Sequence, residues 1–133
     1  VKPQVVDKLL GESWEEDIKP EIGERVISEE TAEEVTAMME LAAKEGEASW
    51  THLKGFKVAG KTGTAQIPIA GHYDEEKTIA SFIGFAPSDN PKFIMLVTLR
   101  EPQTSPWASE TAAPLWYSIA KDLFPYFSIQ PES

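Results

Sequence analysis

Two hydrophobic periods alternate along this chain, and the places where one gives way to the other predict its elements. Ala32, Val35, Met39 and Ala42 recur at helical spacing, which predicts a helix with one buried face and with Glu33, Glu34 and Glu40 in solvent. Ser28 is its N-cap, Glu29 and Glu30 put negative charge at the positive end of the helix dipole, and Gly46 after Lys44 ends it. Beyond it, Phe56 to Ile67, Ile79 to Ala86 and Lys92 to Arg100 read as strands. They are separated by a polar loop, Pro68 to Lys77, and by the turn Pro87-Ser88-Asp89-Asn90-Pro91. The third strand is apolar almost throughout (Phe93, Ile94, Met95, Leu96, Val97, Leu99), the pattern of a strand covered by helices on both faces. Connections of roughly 2 to 12 residues are too short for parallel crossovers, so the strands are expected to be antiparallel. Ser109 to Phe124 is a second amphipathic helix, with Ala112, Trp116, Ile119, Ala120 and Leu123 on its apolar stripe, Pro114 in its first turn and Pro125 beyond its end. Val1 to Leu10 reads as a short strand or an extended entry, the acidic stretch around Trp14 as a loop running to Gly23, and Ser128 to Ser133 as a frayed tail. The expectation is an α+β fold: an antiparallel sheet of at least three strands flanked by helices.

Composition narrows the function. With 133 residues and 41% hydrophobic content, the chain has material for one packed core. A formal charge of -10 with basic residues scattered argues against nucleic acid. The absence of cysteine rules out disulfides, a thiol nucleophile and thiolate metal ligands. His52 and His72 stand twenty positions apart without helical ligand spacing, so neither a metal nor any other cofactor is expected. No apolar run approaches a membrane span, and no basic region followed by an apolar one opens the chain. Val1-Lys2-Pro3 in place of a start methionine suggests that the natural protein begins elsewhere. Glu15-Glu16-Asp17 and Asp74-Glu75-Glu76 read as solvated loop carboxylates, lacking the apolar shell that acid-base work needs. Trp116 belongs to the core by its spacing, whereas Trp50 and Trp107 are expected to pack at junctions between loops and strands, Trp107 also being a candidate rim contact.

The concentrated chemistry lies in Val58-Ala59-Gly60-Lys61-Thr62-Gly63-Thr64-Ala65-Gln66. Glycines remove Cβ atoms where a ligand backbone must lie along a strand edge. Lys61 supplies a point charge for a carboxylate or a proton network, and Thr62 and Thr64 supply hydroxyl donors. The Thr64 backbone N–H can also face a developing oxyanion. Lys61 and Thr62 should point to opposite faces of a regular strand, which leaves open how both reach one ligand. On these residues alone, an edge strand on the surface with no ligand is the competing explanation.

Gly60 to Gln66, then Ala80-Ser81-Phe82-Ile83-Gly84-Phe85-Ala86-Pro87, a Pro91-initiated apolar strand and a Pro114-containing terminal helix resemble the C-terminal portion of a class B penicillin-binding protein, over Val1 to about Pro131. Lys-Thr-Gly is an established signature of penicillin-binding proteins and β-lactamases. The resemblance implies that residues 1–133 are the C-terminal portion of a serine D,D-transpeptidase domain that cross-links peptidoglycan stem peptides and is acylated by β-lactams. It implies that Lys61 supports the proton network and that Thr62, Gly63, Thr64 and Gln66 bind substrate. The Thr64 N–H would form half of the oxyanion hole, and His72, Tyr73 and Trp107 would rim the cleft. It also places the intact protein in the bacterial envelope, on the extracytoplasmic face, with a membrane anchor outside this chain.

The family needs two further motifs, Ser-x-x-Lys and Ser-x-Asn, which run upstream of Lys-Thr-Gly. Literal matches occur here in the wrong order. Ser118-Ile119-Ala120-Lys121 puts its serine and lysine on the solvent side of the terminal helix, and Ser88-Asp89-Asn90 sits in a turn between prolines. The chain by itself is therefore expected to be silent, with the nucleophile supplied by an N-terminal part of the same domain. That part is also expected to complete the core, because three strands and two helices cannot cover both sheet faces. Two rivals stand beside this reading: a fragment of a β-lactamase, D,D-carboxypeptidase or β-lactam sensor, and a binding module that captures a peptide without chemistry.

Overall fold

The structure, a computed structural model, describes residues 1–132, which divide after Ala32 into two units. In the first, β1 (Lys8–Leu10) pairs antiparallel with β2 (Glu15–Asp17). Gly11 N–H closes the turn on Trp14 O at 2.8 Å. Trp14 lies against Gly11 where a Cβ would stand. Residues 15 to 17 thus form a strand where a loop was expected. Lys8 provides the reason, forming ion pairs with Glu15 and, at 3.5 Å, with Asp17 directly opposite in the ladder, so opposite charges meet across the two strands. The helix cap is as expected: Ser28 Oγ accepts the Thr31 N–H at 3.1 Å and opens α1 (Glu29–Glu45).

In the second unit α1 departs from its predicted stripe. Ala43 is its one buried residue; of the expected stripe Val35 is exposed and Ala32, Met39 and Ala42 are half-buried, while Met38 and Leu41, outside the stripe, are exposed. Glu40, expected in solvent, accepts a hydrogen bond from the hydroxyl of buried Ser88. A single 3-10 turn, Ser49–Thr51, follows; its Trp50 is exposed rather than packed at a junction.

The sheet comprises β3 (Ala59–Ile69), β4 (His72–Ala86) and β5 (Phe93–Arg100), all antiparallel, in the order β3-β4-β5. Pro68 to Lys77 is not the polar loop its composition suggested. The β3–β4 hairpin continues to Ile69 opposite His72 and turns at Ala70-Gly71, where Gly71 has φ +93°. A register shift between Gln66 and Pro68 accommodates the proline, which has no N–H for the ladder. The extra length lies at Asp74, whose carboxylate accepts the N–H groups of Glu76 (2.9 Å) and Lys77 (3.0 Å). These bonds hold the Asp74 carboxyl below its usual range.

Helix α2 (Ala112–Tyr126) packs on one face of the sheet; it starts three residues later than expected and carries Pro125 in its last turn instead of beyond it. Fully buried Trp116 lies 5.3 Å from the Phe82 ring and donates its indole N–H to Met95 O at 2.9 Å. Along β5, Phe93, Met95, Val97 and Leu99 turn to this core and Ile94 and Leu96 away from it. Ile94, Leu96 and Ile83, which stands opposite Leu96, are exposed, so the covering expected on both faces exists on one face among the described residues. As far as residue 132 the tail is fixed rather than frayed; Ser133 lies outside the described residues. Ile129 is buried, Glu132 N–H donates to Gly55 O at 2.6 Å, and Lys57 forms ion pairs with Glu132 (2.9 Å) and Asp89 (3.0 Å).

At the edge of the core the His52 and Tyr117 rings meet edge to face at 5.9 Å. His52 Nδ1 and Tyr117 Oη are buried without a hydrogen-bond partner among the described residues. Burial, and then the charge of Lys44, lower the His52 pKa below 6.5, and burial pushes the Tyr117 hydroxyl up to about 12. The unfolded chain therefore takes up the His52 proton more readily than the folded chain does. Stability contributed by neutral His52 is present above the ordinary value of 6.5 and is lost as pH falls through the lower folded pKa. Urea midpoints from roughly pH 7.5 to pH 5 should fall less steeply in His52→Gln than in the native chain. Equal slopes would assign the acid sensitivity to other groups.

Candidate active site

The Lys-Thr-Gly segment lies on β3, which pairs with β4 on one side and is an edge among the described residues. Gly63 O accepts the Ser81 hydroxyl at 3.3 Å and so faces β4. Antiparallel alternation then turns the N–H and C=O groups of Thr62 and Thr64 toward the free edge. Side chains alternate as well. Lys61, Gly63 and Ala65 share the face of Ile83, Ser81 and Ile79, whereas Thr62, Thr64 and Gln66 share the α2 face with Phe82, Ala80 and Thr78.

The apparent conflict between Lys61 and Thr62 is resolved by reach. The lysine side chain curls around the edge, where its Nζ donates to both Thr62 Oγ1 and Thr62 O, each at 3.2 Å. A cation and a hydroxyl from opposite faces thus meet along the outward main chain of an exposed strand. Such an arrangement has the donors to receive an anion at the end of an extended peptide. The Thr64 hydroxyl lies two residues further on and accepts the Ala108 N–H at 3.1 Å. Gln66 is exposed at the last regular pair before the register shift.

The two glycines have different roles. Both were expected to open the edge to a ligand. A Cβ at Gly60, however, would stand 2.5 Å from Phe82 Cζ, so this glycine admits a core ring beneath the strand. A Cβ at Gly63 would meet Ser81 Oγ at 3.1 Å and otherwise face open space on the side of Lys61. Of the expected rim residues, Trp107 comes close, immediately preceding Ala108, with its indole exposed instead of packed at a junction. His72 and Tyr73 do not. They pair with Ile69 and Pro68, and Pro68 lies about 13 Å along the strand from Thr64 at ~3.3 Å per residue. The sequence reading missed Ala108, Ser81 and Thr78, because a backbone donor and two small hydroxyls in apolar surroundings leave no periodic signal. Neither Ser-x-x-Lys nor Ser-x-Asn match joins the site. Ser118 and Lys121 are exposed on α2, and Ser88 is buried and bonded to Glu40.

The family model described as penicillin binding protein transpeptidase domain matches residues 1–124. Stage V sporulation protein D of Bacillus subtilis is 38% identical over 80% of this chain, and the probable peptidoglycan D,D-transpeptidase PenA of Neisseria meningitidis is 41% identical over 71% of it. The chain spans 17% and 16% of the length of these two relatives. Among solved structures, the apo transpeptidase domain of Burkholderia pseudomallei penicillin-binding protein 3 superposes with a TM-score of 0.76 at 32% identity, covering 86% of this chain and 35% of that one. Penicillin-binding protein 3 of Mycobacterium tuberculosis complexed with ampicillin gives 0.74 at 27% identity, covering 90% and 29%.

The contrast between the glycines has a direct test. Gly60→Ala forces Phe82 aside and should destabilise the chain by about 1–3 kcal/mol. Gly63→Ala requires only a rotation of the Ser81 hydroxyl and should stay within about 1 kcal/mol of the native chain. Denaturant midpoints compare the two; similar losses would show that Gly60 has no special packing role.

Proposed function

Because this chain belongs to the penicillin-binding protein transpeptidase family, we propose that it is the C-terminal part of a peptidoglycan D,D-transpeptidase domain and furnishes the substrate-binding edge for a serine carried on another segment. The observation that carries this reading is the meeting of Lys61 Nζ with Thr62 Oγ1 on the free edge of β3. In the acyl transfer, the serine oxygen bonds to the penultimate carbonyl carbon of a stem peptide. The peptide C–N bond then breaks and the amine leaves with the serine proton; the amine of a second stem peptide next bonds to the acyl carbon, the serine C–O bond breaks, and the proton lost by that amine restores the serine hydroxyl.

Each residue has a part that its position supports. Lys61 holds positive charge beside the proton path, and Thr62 and Thr64 donate to the terminal carboxylate. Gly63 leaves the Lys61 face free of a side chain, and the outward Thr64 N–H donates to the developing oxyanion. Gln66 continues the edge for the extended peptide, and Trp107 rims it. His72 and Tyr73, further along the hairpin, reach only a long substrate. A β-lactam enters by the same route, its ring C–N bond breaking in place of the peptide bond. Ampicillin bound to the tuberculosis relative supports that extension.

The remaining part of the domain covers the sheet face on which Ile83, Ile94 and Leu96 are exposed, and brings the nucleophile with it. Alone, the chain is inactive, because solvent-facing Ser118 and the bonded, buried Ser88 are remote in role from the β3 edge. The whole protein then acts at the outer face of the bacterial cytoplasmic membrane, in the wall synthesis that serves cell shape and division, held by an anchor outside this chain. The names of the relatives, a sporulation protein and D,D-transpeptidases, support that setting.

Intact-mass analysis after incubation with ampicillin tests the proposal, on this chain alone and on this chain with the polypeptide encoded upstream of it. The expected result is no adduct on the chain alone and an acyl adduct on the upstream polypeptide in the pair. An adduct on this chain would reassign the nucleophile to Ser118 or Ser88. An unmodified pair would favour a peptide-binding module without chemistry.

A further inference from the structure

The segment Ser105 to Thr111, which connects β5 to α2, is fixed by four hydroxyl groups. Ser105 Oγ accepts the Trp107 N–H at 3.2 Å, Thr111 Oγ1 donates to Trp107 O at 2.7 Å, Thr78 Oγ1 donates to Pro106 O at 2.7 Å, and Thr64 Oγ1 accepts the Ala108 N–H at 3.1 Å. Two of the four come from the sheet. Thr64 stands opposite Ala80, and Thr78 is two residues before Ala80 on the same face, so the pair grips the segment at Pro106 and Ala108, the residues on either side of Trp107. Thr64 is exposed on the free edge, whereas Thr78 is buried and has no place in the substrate site described above.

The Ala108 bond has a chemical consequence for Thr64. A threonine hydroxyl carries one proton and two lone pairs and rotates freely unless a partner fixes it. A main-chain N–H that occupies one lone pair repels the hydroxyl proton and turns it away from Ala108. Thr64 then keeps its proton, with one lone pair, on the sides away from Ala108, where a group along the edge can take that proton. An anion next to Lys61 meets a hydroxyl whose proton is not spent on Ala108.

We infer that Thr78 is a positioning residue for this hydroxyl: by holding Pro106 it keeps the Ala108 N–H on Thr64 and so leaves the Thr64 proton for a substrate carboxylate. The inference rests on the reading of Thr64 as a carboxylate donor. Thr78 itself touches no substrate.

Thr78→Val keeps the shape and removes the donor, and Thr78→Ser restores it. Amide exchange in this chain should show the Ala108 N–H exchanging about tenfold faster in Thr78→Val, the scale of one lost hydrogen bond, with the amides of β4 unchanged. In the domain reconstituted with the upstream polypeptide, acylation by a penicillin should slow about tenfold in Thr78→Val, while acylation by its methyl ester, which lacks the anion, should change little. Thr78→Ser should return both readouts to native values. An unchanged Ala108 exchange overturns the inference, as does equal slowing with the acid and the ester, which would make Thr78 merely structural. Thr64→Val serves as the control. If it too fails to separate acid from ester, the carboxylate role of Thr64 falls; if it separates them and Thr78→Val does not, only the inference about Thr78 falls.

Discussion

The contact on which this structure depends is the Phe82 ring lodged between the backbone at Gly60 and the indole of Trp116. It joins three elements with one side chain: the edge strand, the central strand and the helix behind them. An edge strand has half the hydrogen bonds of a central one and would otherwise be free to bend away from the sheet. Seating a fully buried ring beneath its glycine ties the orientation of Lys61 and Thr62 to the best-packed part of the molecule. Trp116 is itself oriented by its bond to Met95 O, so the chain of support runs from β5 through α2 and Phe82 to the strand that carries the chemistry. The precision of the edge comes from a packing arrangement that contains no reactive group.

The main outline was readable from residue patterns because each major element had its own signal. The cap at Ser28, the helical spacing around Trp116 and the Lys-Thr-Gly run all led to the right element. The errors share a physical origin. Pro68 to Lys77 has the composition of a loop, yet a register shift and the Asp74 turn allow a hairpin to absorb its proline and its charges. Residues 15 to 17 are acidic and still pair, because Lys8 stands opposite. The tail reads as polar, but Ile129 and the Lys57–Glu132 ion pair hold it. In each case a specific turn or partner overrides the composition of the segment, and a residue pattern by itself does not identify it.

At the candidate site the same division applies. Lys61, Thr62, Gly63 and Thr64 announce themselves as a motif, and their placement on an exposed edge follows from the sheet order. The groups that orient them do not. Ala108 acts through its main chain, and Thr78 and Ser81 are small hydroxyls in an apolar strand. The full burial expected of the α1 stripe and of both faces of β5 was misjudged for a different reason: their apolar residues are real, but among the described residues Val35, Ile94 and Leu96 are exposed. Hydrophobicity records that a surface is suited to burial, without saying which polypeptide buries it.

The curled conformation of Lys61 has one more consequence. An edge of unpaired main-chain groups that can receive a substrate peptide can equally receive a strand from a neighbouring copy, and glycine offers no resistance to either. A lysine wrapped over that edge repels another lysine-bearing copy and must be moved before any backbone can dock. A charged side chain in this place therefore also opposes edge-to-edge pairing of strands. Replacing it with an apolar side chain changes colloidal behaviour together with chemistry, so the state of association belongs beside every activity measured on such a variant.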